Sequence, residues 1–438
     1  MDNVSNCNKT AEVLPNMIST FAGEEARVRC FSHILHLIAQ MFMSFFFRKR
    51  KSSKKPDNGD EEDDAVALEE IEADDAELAD DDGYVTHGKA VVYSMREEAT
   101  RYMEAEKAIF LDKKEINEAL GIMPKVAGLA RRIHDSGDLK ERFDNLVSGD
   151  STLDGSKRTL DCRVPTRWNS DHACLQAHQY FRTQVEQMTG LTGTKLRAYA
   201  LSERQWKIAD DLVDALRIFE EPTRLFSNAS VPLIVNVIPA FDDLRLSLEG
   251  IRDDDDEENN ISPVMRVAAH AALMMVDKYE TMSWECPIYY VAIVMCPDRK
   301  MQWFKNRPAY DQRTLKYIKD LVIKYFEDKY QTSALPGAPT EEELRSRSQQ
   351  KKNRFIRRVD EPMATTRNFY PADHIQTYLK EPPVQPSVIA QAGGYLKFWE
   401  IATITTPQLA KMGLHFVSTP GKAFACYGVY MDLTNNHI

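Results

Sequence analysis

The 438-residue chain lacks the short motifs that mark several large enzyme classes. It has no glycine-rich phosphate loop, no Gly-x-Ser-x-Gly elbow and no His-Glu-x-x-His pair. Motif support is therefore absent for P-loop nucleotide hydrolysis, α/β-hydrolase chemistry and zincin proteolysis. The seven cysteines are scattered, with no Cys-x-x-Cys pair. An odd, unpaired set in a long chain fits a reducing compartment, cytosol or nucleus, better than a disulfide scaffold. Cys30 and His33 make a single Cys-x2-His half-site, whereas a structural zinc takes four ligands. A core cysteine beside a hydrogen-bonded core histidine is the other reading of that pair. Strand-like alternation is nearly absent, no internal repeat is found, and the polar residues 1–10 do not form a secretory signal.

Uniform charge is also missing. The net charge is -11, but two acidic runs, residues 57–82 and 253–258, carry much of it. The remainder is near neutral with local basic clusters, so the average alone argues only weakly against nucleic acid.

One apolar run is present, residues 30–47 (CFSHILHLIAQMFMSFFF). Ser32, His36, Gln40 and Ser44 recur in it every four residues, one polar stripe on an otherwise apolar helix. That pattern suits a core helix better than a membrane span, and no membrane partner is expected. Ahead of it the sequence reads as a helix near residues 9–19 and a strand-like stretch at 27–30. Behind it residues 48–88 begin basic (RKRKSSKK) and turn acidic, without apolar periodicity. They are expected to be a disordered linker. Their basic start fits a nuclear localisation patch or a solvated helix end.

Residues 93–330 read as helical almost throughout. Leu212, Leu216, Phe219 and Leu225 recur at helical spacing, and Leu244, Leu246 and Leu248 do so less cleanly. The acidic run at 253–258 is expected to be a surface loop. After a polar and basic stretch, residues 371–438 should hold two or three short helices separated by Pro382, Pro383, Pro386, Pro407 and Pro420.

The segment 161–170 (DCRVPTRWNS) stands out. Arg163, Arg167 and Trp168 precede a helix expected from Asp171 onward, with Asn169, Ser170 or Asp171 as its cap. A Trp beside an Arg can stack on an unpaired base while the guanidinium meets phosphate. A buried Trp with a surface Arg fits the same residues.

DCRVPTRWNS resembles a signature of hAT-superfamily transposases, and further segments follow in the family's order. MDNVSNCN at the start and RVRCFSHILHLIAQ, with Cys30 and His33 in register, are similar to two of its core segments. Residues 219–248 resemble its insertion-domain stretch. IYYVAIVMCPDRKMQWF resembles a further segment, with Cys296 where the family has Asp. DHIQTYL, LKFW and TPQLAKMGLHFVSTPGKA resemble its C-terminal dimerisation region.

The resemblance implies a mainly α chain, a large helical insertion domain attached to a partial ribonuclease-H-like α/β core. Its expected parts are a partial core at 1–47, the linker at 48–88, the helical insertion at 89–335, a polar linker at 336–370, and the dimerisation region with a degenerate core end at 371–438. In the intact family three acids hold two Mg²⁺ ions, hard cations suited to carboxylates, and these cut and join DNA strands. Carried over, Asp2 matches the second acid, the first is expected ahead of residue 1, and Tyr427 stands where the third, a Glu, belongs. The expectation is a catalytically inactive, transposon-derived nuclear protein without a cofactor. The alternative is a fragment of an active DNA transposase. Arg167 and Trp168 take the family's DNA-handling role. Leu396, Phe398, Trp399, Leu409 and Met412 supply apolar surface that serves as core or as the interface of a homodimer or higher oligomer.

Overall fold

A computed structural model describes residues 12–17, 27–47, 85–164, 167–192, 194–227, 234–256, 259–331 and 372–420, with backbone alone for 85–90. Asp2, Tyr427 and the charged stretch at 48–84 lie outside these residues. The described chain is mainly helical and contains no strand. Residues 27–30, expected as a strand, form no strand or helix among the described residues and lead directly into a helix. The chain divides into two compact units, Met1–Val231 with Val237–Glu285 and Gly421–Ile438, and Pro232–Asn236 with Cys286–Pro420. Residues 232–236 and 286–335, in the second unit, lie inside the stretch read as one insertion domain.

In the first unit, α1 (Phe31–Met43) buries Phe31, Ile34, Leu35, Ile38 and Phe42, while Ser32, His36 and Gln40 lie on its less buried side. The polar stripe thus marks the outer face of a core helix. No helix among the described residues is long and apolar enough to cross a membrane. The unit continues through α2 (Val85–Lys107), α3 (Lys113–Leu120), α4 (Ile122–Asp135), α5 (Gly137–Gly149), α6 (Trp168–Tyr180), α7 (Arg182–Gly190), α8 (Glu203–Leu216), α9 (Glu220–Ser227), α10 (Val237–Asp253) and α11 (Pro263–Trp284).

Helix α11 is the hub, packing against α1, α2 and α10. Ala268, Ala269, Ala271 and Ala272 are fully buried on it, and side chains this small let neighbouring helices approach. Phe31 of α1 sits 4.5 Å from Phe226 and 4.9 Å, edge-on, from Phe241. A second cluster gathers α4 to α8 around Phe143 and Phe181, whose rings meet edge-on at 5.3 Å, and Trp206. Helix α8 opens with a reciprocal cap: Gln205 N donates to Ser202 Oγ, and Ser202 N donates to Gln205 Oε1. The Gln205 amide also donates to Glu118 O at 2.8 Å, tying α8 to α3.

The helical register departs from the sequence reading at two leucines. Leu225 is 39% exposed and its neighbour Phe226 takes the core position. Leu246 is 67% exposed between the buried Leu244 and Leu248, because residues two apart on a helix face opposite ways. The acidic run begins at the end of α10, with exposed Asp253, Asp255 and Asp256 leading into the connection to α11.

The second unit holds α12 (Ile288–Val294), α13 (Lys300–Lys305), α14 (Gln312–Lys329), α15 (Ile375–Lys380), α16 (Pro386–Ala392), α17 (Tyr395–Ala402) and α18 (Pro407–Val417). Four helices, not two or three, occupy 372–420. Pro386 and Pro407 do not merely separate helices. Each sits in the first turn of one, where the missing N–H costs nothing. Helix α12 buries Tyr289 through Val294, and its end carbonyls are satisfied from afar: Tyr378 Oη donates to Val294 O and Trp399 Nε1 donates to Met295 O, both at 2.9 Å. Asp373 accepts from the backbone N–H groups of Gln408 and Leu409 and so caps α18.

Candidate nucleic-acid interface

The segment 161–170 is anchored to the first unit at several points. Helix α6 begins at Trp168, three residues earlier than expected, with Arg167 in extended backbone as its N-cap. Asn169, Ser170 and Asp171 therefore lie in the first turn and none of them caps it. Ser170 Oγ instead accepts from Val164 N at 2.9 Å and lies 2.8 Å from Val164 O and 2.7 Å from Arg167 O, folding the loop back on the helix. Asp171 is buried and pairs with Arg163 Nε at 2.6 Å, while the Arg163 guanidinium lies over the Phe47 ring. The Cys174 thiol donates to Asp161 O, and burial pushes its pKa well up, so it is not a thiolate nucleophile.

Trp168 is 4% exposed. Its indole stacks on His172, centroids 6.2 Å apart, and tilts against Phe219 at 5.5 Å. His172 lies 3.0 Å from Val213 O through Nε2 and 3.0 Å from Glu220 through Nδ1. Burial lowers its pKa, against the opposing pull of Glu220. In this conformation the indole face meets protein rather than solvent, whereas Arg167 is exposed at the start of α6. Arg158, a few residues earlier, is exposed too; the sequence reading passed over it because no aromatic residue adjoins it. Neither Arg158 nor Arg167 makes a side-chain ion pair among the described residues. The site therefore offers cations near a helix N-terminus, with the aromatic held behind them.

Cys30 is the N-cap residue of α1, buried, with no side-chain cap bond. His33 and His36 stand with ring centroids 6.5 Å apart, and burial with the neighbouring His33 lowers the His36 pKa to about 4. Among the described residues no group of three or more His, Cys, Asp or Glu side chains could hold a metal ion. The buried carboxylate nearest the motif, Asp171, is already paired to Arg163. Among the described residues the acid set that the Mg²⁺ pair requires is not formed, and Asp2 and Tyr427 lie outside them.

In the second unit, Trp399, Leu409 and Met412 are buried, at 2%, 3% and 0% exposure. Leu396 and Phe398 are half-buried. Val388, Ile401 and Ile404 are more exposed than any of these, at 42%, 62% and 86%. Helical spacing from Trp399 does not reach Ile401, so periodicity around the tryptophan could not single it out.

Residues 28–215 match the family model described as ZBED1 RNase-like helical domain. This indicates a ZBED/hAT-related domain in that part of the chain, and it includes α1 through most of α8 with the whole 161–170 segment. No curated protein matches the chain.

Proposed function

We propose that the chain is a transposon-derived, hAT transposase-like nuclear protein that binds DNA and self-associates without catalysing strand transfer. The observation that carries this reading is the ZBED1 RNase-like helical domain match over residues 28–215, within which Arg167 caps and Trp168 opens α6. Arg158 and Arg167 meet the phosphates. Trp168 backs the start of α6 and reaches an unpaired base only if it leaves its stack on His172. Self-association uses the half-buried Leu396 and Phe398 together with Ile401 and Ile404, while Trp399, Leu409 and Met412 hold the helices that present them.

Fluorescence anisotropy with labelled duplex DNA at 50 and 200 mM KCl, with the mass from sedimentation, tests the proposal. Binding that weakens steeply with salt, further weakened in Arg158→Ala/Arg167→Ala, is expected, together with a mass above the monomer that Ile401→Asp/Ile404→Asp reduces. No binding at 50 mM KCl with a strictly monomeric mass overturns it. Cleavage or joining of DNA ends in the presence of Mg²⁺ overturns the inactive part and favours the transposase-fragment reading.

A further inference from the structure

Three half-buried arginines of the first unit have an acid within reach. Arg163 has Asp171, Arg245 has Asp277 and Glu280, and Arg252 has Asp253. Arg96 differs. Its guanidinium lies over the Phe45 ring, 4.6 Å from the centroid, and makes no ion pair among the described residues, although Glu97 and Glu98 follow it in sequence. Burial lowers its pKa, against the smaller opposing pull of Tyr93. A desolvated charge left unpaired is costly, and a guanidinium forks naturally onto a carboxylate.

The surroundings supply the rest of a site. Tyr93, Arg96, Glu97, Thr100 and Arg101, one face of α2, look onto a cleft of about 650 Å³. Its opposite wall is apolar, made by Phe45, Leu111, Ile116, Leu120 and Val264. This size suits a small organic ligand, and a mostly apolar lining with a few polar groups is the usual make-up of such sites. Arg101 is exposed on the face that carries Arg96, and Glu97 beside them offsets one positive charge. The balance suits a singly charged anion better than a phosphate dianion.

The geometry points to this cleft as a binding site for an apolar carboxylate, one carboxylate group on an aliphatic or aryl body, with Arg96 holding the head and Phe45, Ile116 and Leu120 the body. The carboxylate comes either from a free small molecule or from a peptide that sets acidic among aliphatic side chains. The site stands independently of the DNA-binding reading.

Isothermal titration of the full chain with decanoate tests it, with decanol as the uncharged control and a synthetic peptide AVALEEIEADDAEL, copied from residues 65–78, as the peptide-borne arm. Decanoate is expected to bind, decanol at least tenfold more weakly. Arg96→Met keeps an apolar stem against Phe45 and should lose at least tenfold in decanoate affinity. Without ligand the same variant should melt at the same or a higher temperature than the parent, since it removes an unpaired buried charge, and decanoate should no longer raise its melting temperature. Tighter binding of the peptide than of decanoate assigns the site to peptide-borne carboxylates, and the reverse assigns it to small molecules. Equal binding of decanoate and decanol, undiminished decanoate affinity in Arg96→Met, or failure of both decanoate and peptide to bind overturns the proposal.

Discussion

The Trp399 indole lies against Gly413 so closely that a Cβ on that glycine would stand 2.4 Å from Cδ2 and Cε2 of the ring. The absent side chain on α18 is what lets the ring of α17 enter the core and donate its N–H to Met295 O. Gly413→Ala should destabilise the protein by about 1–3 kcal/mol, the usual cost of forcing extra volume into a packed site. Denaturant unfolding followed by tryptophan fluorescence measures this. An unchanged midpoint would show that the ring moves aside freely.

Arg163 and Asp171 form a pair whose side chains are 14% and 6% exposed. Removing one partner leaves a buried charge, so Arg163→Ala or Asp171→Ala should cost about 3–5 kcal/mol. The double change Arg163→Met/Asp171→Leu should recover much of the loss. Urea titration of the three variants separates the outcomes, and equal loss in all three would mean that packing of the loop, not charge pairing, dominates.

His178 is buried, its Nδ1 lies 3.2 Å from Cys174 O, and its Nε2 has no partner. Burial lowers its pKa from 6.5 to about 4. The folded state therefore resists a proton that the unfolded chain accepts below pH 6.5. Stability attributable to this group is complete above pH 6.5 and falls by about 3 kcal/mol as the pH drops to about 4. His178→Phe should flatten that part of the profile. A residual slope should remain from His36 and His270, whose pKa values burial also lowers to about 4. Melting temperatures at half-unit pH steps give the comparison; an identical slope in parent and variant would exclude His178 as a contributor.

Glu115 accepts from Val264 N at 3.0 Å, capping α11 from another helix, while the Ser262 side chain at the N-cap position makes no cap bond. Burial raises the Glu115 pKa, opposed by the Val264 N–H and Arg204. The sign is opposite to that of His178: its contribution is fully present below the unfolded value of 4.5 and is lost as pH rises through the raised folded value. Glu115→Gln keeps an acceptor and should remove this pH dependence. Glu115→Ala should cost about 1–2 kcal/mol at any pH through loss of the cap. Chemical denaturation at pH 4 and 7 distinguishes the two variants, and a Gln variant as unstable as the Ala variant would contradict the capping role.

By itself the sequence determined what depends on residues near one another in the chain. The helical class follows from periodicity, and the four-residue recurrence of Ser32, His36 and Gln40 is enough to identify the outer face of α1. The position of DCRVPTRWNS at the start of a helix was legible to within three residues. The tertiary structure alone decided what depends on distant partners. Periodicity says that one face of a helix is buried but not which residue meets which neighbour. That is why Phe226 rather than Leu225 reaches Phe31, and why Trp399 is core while Ile401 and Ile404 face outward. Ser262 holds the N-cap position of α11, yet Glu115 supplies the cap bond from far back in the chain. Trp168 is paired in sequence with Arg167 but in space with His172 and Phe219, so the burial of its indole was set by packing that no local pattern records.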